Sequence, residues 1–211
     1  GNSVHNCLDV KSSMASYVEL RTLTNRGIGG RHLQDAEAFL NGQDLSKANP
    51  SPELDRLLLQ RSQANNDHQP LLCLRCHISH PLEAWVRALH GRFHTSYDLD
   101  LTALASYALD DTGSLTLRCS PDRQEPFTFK ALQKLPAGLI SPFSGEVLRT
   151  YDPNRCGLPH WARMKLQCHN ELKAYLRQQG LLLISDWALL ADSSPRRICE
   201  SWDRCGTGAY S

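Results

Sequence analysis

The chain has 211 residues, with 23 Lys and Arg against 22 Asp and Glu, and a net charge of +1. That length fits one large domain or two small ones, and a hydrophobic content of 41% supplies a core and excludes a compositionally disordered chain. No apolar run approaches the ~20 residues of a membrane span, and a charge balance this even excludes a non-specific nucleic-acid binder; any DNA contact has to come from a local patch.

The N-terminus has no charged region followed by an apolar stretch, so no secretory signal is expected and a cytoplasmic location is. The eight cysteines are then expected to be reduced thiols rather than a disulfide framework. Residues 1 to about 15 are polar and patternless, and are expected to be disordered or vector-derived. Ser16 to Arg26 is a short apolar-periodic stretch, which Gly27, Gly29 and Gly30 break. Arg31 to Leu40 predicts a helix closed by Asn41-Gly42. Ser51-Pro52-Glu53 is a helix start, with a cap, a proline in the first turn and an acid, and Leu54, Leu57, Leu58 and Ala64 follow on one face. Asn65 to Pro70 reads as a polar turn.

Ser79 is placed to cap a helix from Pro81 to about His94, with Leu82, Trp85, Val86 and Leu89 at helical spacing. A second helix is expected from about Leu99 to Leu109, stopped by Asp110-Asp111-Thr112-Gly113. Ser114 to Cys119 alternates polar and apolar residues, as a short strand or an extended linker does. Pro121, Pro126, Pro136, Pro142 and Pro153 mark short helices and turns, and place a domain boundary near residue 120. Leu158 to Gln179 reads as helical, divided near His169-Asn170 and ended by Gly180. The expected fold is therefore mainly α: a helical N-terminal domain over residues 16–120, then a helix-turn-helix domain over 121–211.

Asp186 to Trp202 carries the functional expectation. A helix-turn-helix needs a small residue where its helices cross, apolar residues facing the core, and polar residues early in the second helix. Ala188 is the small residue, and Trp187, Leu190, Ala191 and Ile198 are the apolar ones. Ser194 is a good N-cap and Pro195 a good first helical residue, which puts Arg196 and Arg197 in the first turn. Arginine suits a bidentate grip on guanine or on a phosphate. Ser194, Arg196, Arg197 and Arg204 are the candidate DNA-binding residues. The pattern departs from the motif where Asp192 replaces the usual turn glycine and Ser201 stands at an apolar position. An ordinary helical hairpin packed into the core is the competing reading.

Three stretches add a resemblance: CLRCHISHPLEAWVRAL at 73–89, YALDDTG at 107–113, and LPHWARMKLQCHNELKAYLRQQGLLLISDWALLADSSPRRICESW at 158–202. They resemble the sigma-70-like regulators of cyanobacteria and the HetZ-type heterocyst-differentiation factors. The resemblance covers roughly residues 70 to 205. It implies transcriptional control through double-stranded DNA, in company with RNA polymerase or another regulator. A helical protein–protein adaptor without DNA binding is the alternative.

Cys73, Cys76, His77 and His80 fall within eight residues. Thiolate and imidazole suit zinc, and Cys73, Cys76 and His80 form a candidate set that needs a distant fourth ligand such as Cys156, Cys168 or His169. Two thiols buried as small hydrophobes explain the same pattern without metal, and no cofactor is otherwise expected. No phosphate-cradling glycine loop or other catalytic set emerges, so the chain is not expected to be an enzyme. Asp110 and Asp111 read as a helix stop.

Overall fold

The computed structural model describes residues 14–45 and 48–181. The helix-turn-helix expected over 186–202 lies outside them. The described chain is mainly helical, with two small antiparallel hairpins. Residues 14–18 form a helical turn that leads into β1 (Glu19–Thr24), which pairs with β2 (Gly27–His32). Helices α1 (Gln34–Gly42), α2 (Pro52–Asn65), α3 (His68–Phe93) and α4 (Leu101–Ser106) follow. After the hairpin of β3 (Thr116–Ser120) and β4 (Arg123–Pro126) come α5 (Phe129–Lys134), α6 (Phe143–Thr150), α7 (Leu158–Gln167) and α8 (Asn170–Gln178).

Several starts and stops follow from single residues. Ser51 caps α2 by accepting the Leu54 N–H at 3.1 Å, with Pro52 in the first turn, and Leu54, Leu58 and Leu59 turn inward. Asn66, at φ 50, ends α2 in a left-handed conformation that asparagine tolerates. Asp100 and Thr128 cap α4 and α5 in the same way as Ser51 caps α2. His169 divides α7 from α8, and its Nδ1 accepts the Leu172 N–H, so the break falls where the sequence places it.

Three expectations are corrected. The glycine-rich stretch after Arg26 does not merely break the chain: Asn25 and Arg26 turn a hairpin whose second strand is Gly27–His32. The helix expected from Pro81 starts thirteen residues earlier, at His68, capped by Asp67, and Pro81 sits inside it. Proline in a helix interior gives up one backbone hydrogen bond; packing of the preceding turns outweighs that loss. The helix expected over 99–109 is shorter, Leu101–Ser106.

Helix α3 is the centre of the molecule. Its first half is buried all round: Pro70 through Cys76, then Ile78 and Ser79, are all buried. A helix apolar on every side belongs inside a core rather than on its surface. It packs against α2, α7 and β1, and also touches α1, α4 and α6. The hydrophobic core is continuous from Met14 to Leu181 among the described residues. The boundary expected near residue 120 thus falls within the β3–β4 hairpin, and residues on both sides of it share one core. Among the described residues, no helix is long and apolar enough to cross a membrane.

Candidate functional site

One charged residue lies inside the apolar face of α3. Arg75 is 1% exposed and sits among Leu71, Leu72, Leu74 and Ile78. Burying a guanidinium without a partner is prohibitive, and the partner is Asp111. Arg75 Nε donates to Asp111 Oδ2 at 2.8 Å and Nη2 to Oδ1 at 2.6 Å, a bidentate pair. Nη1 donates to the Ser114 carbonyl at 2.8 Å, and the guanidinium lies 3.8 Å from the centre of the Phe127 ring. Asp111 also accepts the Gly113 N–H at 2.8 Å and the Ser144 hydroxyl. Gly113 has φ +73, and a Cβ there would meet both Leu33 methyls at 3.1 Å, so this turn admits glycine alone. Burial by itself would raise the Asp111 carboxyl, but the Arg75 charge and these hydrogen bonds outweigh it and leave the pKa lowered.

Asp110, the neighbour, faces outward between two clefts. Its Oδ1 accepts the Phe143 N–H at 2.9 Å and its Oδ2 the Ser141 hydroxyl at 3.3 Å. One cleft, about 200 Å³, is lined by Arg75, Asp111, Thr112, Arg118, Gln124 and Phe127 among others. The other, about 250 Å³, is lined by Tyr107, Leu139, Phe143, Glu146, His169 and Glu171 among others. The His169 ring lies 5.3 Å from Phe143 and 5.9 Å from Tyr107, and burial lowers its pKa. Although Asp110 keeps an open edge to solvent, protein packed around its carboxyl pushes its pKa upward.

A second polar cluster lies where residues 14–18, α2 and α3 meet. Tyr17, fully buried, donates its hydroxyl to Asp55 Oδ1 at 2.8 Å. The other oxygen, Oδ2, faces His77 Nε2 at 3.8 Å, and His77 Nδ1 lies 3.1 Å from Ser16 Oγ. The Tyr17 and His77 rings stack at 4.3 Å, nearly parallel. Burial pushes Asp55 up to about 6, against a smaller opposing effect of the Tyr17 hydrogen bond. Burial pushes His77 down to about 4, with His80 adding to it. Burial, then Asp55, pushes the Tyr17 hydroxyl upward.

The residues singled out from sequence fare differently. Ser194, Arg196, Arg197 and Arg204 lie outside the described residues. Cys73, Cys76 and His80 all fall on α3, but zinc has no assembled site there: among the described residues no group of three or more His, Cys, Asp and Glu side chains is placed to hold a metal ion. Cys73 and Cys76 are fully buried free thiols. Burial pushes Cys73 up to about 12 and Cys76 higher still, which disfavours the thiolate a metal needs. His80 spends Nε2 on the Glu19 carbonyl at 2.8 Å, tying α3 to β1. Cys119 is also a free thiol, whereas Cys168 is disulfide-bonded, a departure from the expectation of reduced thiols throughout.

Sequence reasoning missed Arg75, Asp111, Asp55 and Tyr17. Arg75 had a visible signal: an arginine flanked by leucines on all helical faces demands a buried acid elsewhere. Ser16, Asp55 and His77 had none, because they come from three elements up to 61 residues apart. No protein-family model, no curated protein and no solved structure matches this chain.

Proposed function

We infer that this protein is a cytoplasmic, DNA-binding transcriptional regulator, in which the second helix of a helix-turn-helix over Asp186–Trp202 reads double-stranded DNA. Ser194 caps that helix, Arg196 and Arg197 contact bases or phosphates, and Arg204 adds a phosphate contact. The observation that carries the reading is the run Ser194-Pro195-Arg196-Arg197, a cap and a helix-starting proline set before two adjacent arginines. The resemblance to sigma-70-like and HetZ-type regulators points the same way and brings RNA polymerase, or another regulator, as a protein partner. Its stretches are also close in space: Arg75 of the first pairs with Asp111 of the second, and α7 of the third packs on α3.

The test is binding of the full chain to a library of double-stranded promoter fragments at physiological salt. Arg196→Ala with Arg197→Ala is expected to keep the fold and weaken binding, by ~1–3 kcal/mol for each base edge that is no longer gripped. If the arginines touch only phosphates, the double variant instead binds evenly more weakly across sequences, with a shallower salt dependence. A folded double variant that binds as tightly as the parent removes the reading and leaves the adaptor. One observation favours that second reading: Leu139, 74% exposed, stands at the edge of the cleft that holds Glu146 and Glu171, an apolar side chain beside a charged rim.

A further inference from the structure

The Ser16, His77 and Asp55 side chains stand in the order of a nucleophile, a base and an orienting acid. Roles of this kind are recognised by geometry and not by position in the chain. His77 has two nitrogens with different neighbours. Nε2 faces the Asp55 carboxylate at 3.8 Å, an electrostatic contact longer than a hydrogen bond, which favours the tautomer with hydrogen on Nε2. Nδ1 then holds the lone pair, and it lies 3.1 Å from Ser16 Oγ, so the Ser16 hydroxyl donates to it. The ring cannot easily turn over, because it is stacked on Tyr17. Tyr17 in turn holds Asp55 Oδ1 at 2.8 Å, which leaves Oδ2 for the imidazole. His77 keeps 12% of its side chain exposed and Ser16 is half-buried, so the hydroxyl sits at the rim of the cluster and not sealed within it.

We propose that Ser16 is an activated nucleophile that takes up the acyl group of a small activated ester, with His77 as its base and Asp55 as a positioning residue. In the step, Ser16 Oγ bonds to the ester carbonyl carbon as its proton passes to His77 Nδ1. The carbonyl carbon then releases the alkoxide oxygen, which takes that proton from His77 and leaves as the alcohol. The products are acyl-Ser16 and one alcohol, with no change of oxidation state. Asp55, 3.8 Å from Nε2, stabilises the imidazolium formed in between through its charge. The groups facing this cluster are His80 on the same helix, Cys73 one turn back, and Tyr151, whose hydroxyl burial and Asp55 push up to about 12. Burial keeps His77 uncharged at neutral pH, so its lone pair is available, and Asp55 ionises above about pH 6. This activity is independent of the DNA reading.

The probe is a fluorophosphonate, in which Ser16 Oγ bonds to phosphorus, the P–F bond breaks, and fluoride and the serine proton are released. The full-length protein is expected to gain one label, mapped to Ser16 by peptide mass, about 100-fold or more faster than an ordinary serine, in line with positioned base catalysis. Ser16→Ala is expected to lose the label entirely. His77→Gln is expected to slow labelling about 100-fold with an unchanged circular dichroism spectrum. The parent rate is expected to rise as pH passes through about 6, and Asp55→Asn to lose that inflection, which a merely structural aspartate would leave in place. Labelling of Ser16 no faster than of other serines overturns the proposal, as does a folded His77→Gln that labels like the parent. If His77→Gln does not fold, the parent's pH profile decides: a flat profile between pH 5 and 8 overturns the proposal as well.

Discussion

Asp111 and Asp55 are buried to nearly the same degree, 3% and 2% exposed, yet their carboxyls move in opposite directions. Asp111 meets a bidentate guanidinium, a backbone N–H and a hydroxyl, and its pKa is lowered. Asp55 meets one phenol and a distant, uncharged imidazole, and it rises to about 6. Depth is therefore a poor guide to the state of an acid in this protein; the number and charge of donors on its two oxygens decide it. The first arrangement is saturated and fixes the core. The second holds one oxygen with a phenol and turns the other towards an imidazole.

The comparison is broken most severely at Arg75. Arg75→Met leaves Asp111 buried without its counter-charge, and is expected to cost about 3–5 kcal/mol in urea unfolding. Arg75→Met combined with Asp111→Leu is expected to recover more than half of that, since an apolar pair of similar volume replaces a buried ion pair at little net loss. A double variant as unstable as the single one would show that Ser114, Ser144 and Gly113 need the charges more than the charges need each other.

The Asp55 cluster is sharpened by pH. Asp55 has a folded pKa of about 6, above its ordinary 3.8, so its contribution is present below pH 4 and lost as pH rises through 6. His77 has a folded pKa of about 4, below its ordinary 6.5, so stability falls as pH drops from 6.5 towards 4. In the parent the two slopes oppose each other. Asp55→Asn removes one, and relative to the parent its stability is expected to fall between pH 6.5 and 4 by up to about 3 kcal/mol. His77→Gln is expected to tilt the other way, losing a similar amount relative to the parent as pH rises from 4 to 6. Chemical denaturation at pH 4, 5, 6 and 7 reads both, and parallel curves for all three proteins would remove the assignment.

Smaller effects mark the scaffold around the two acids. Trp161→Phe removes the indole N–H that donates to the Val147 carbonyl at 3.2 Å, and is expected to lower stability by about 1 kcal/mol in a thermal melt. Arg87→Ala breaks an exposed i,i+4 pair with Glu83, and is expected to cost at most about 0.5 kcal/mol, because Arg87 is 48% exposed and Glu83 keeps Arg21.

Local signals in the sequence carry well where the structure is local. Ser51-Pro52-Glu53, the break at His169 and the stop at Gly180 are legible because caps and turns are chosen by adjacent residues. The start of α3 is not, since Asn65 to Pro70 looks polar and Pro81 looks like a beginning; burial of Leu71 to Ile78 overrides both. The β1–β2 hairpin escapes a sequence reading because its two-residue turn is Asn25-Arg26 and its glycines fall in the second strand. Asp110-Asp111 is legible as the end of a helix but not as a place where α3, the following turn and α6 converge. That convergence depends on side chains 36 and 33 residues away, which no local pattern encodes.

The hairpin of β3 and β4 turns at Pro121 and Asp122, both exposed. Its tip is a natural place to sever the backbone, yet the chain before it supplies Arg75 and Asp111 and the chain after it supplies Phe127 and Ser144. A cut there yields two pieces that each hold half of a shared interior. Each piece lacks partners that the other carries, so the two are expected to behave as a split protein: silent apart, restored on meeting, and usable as a reporter of whatever brings them together.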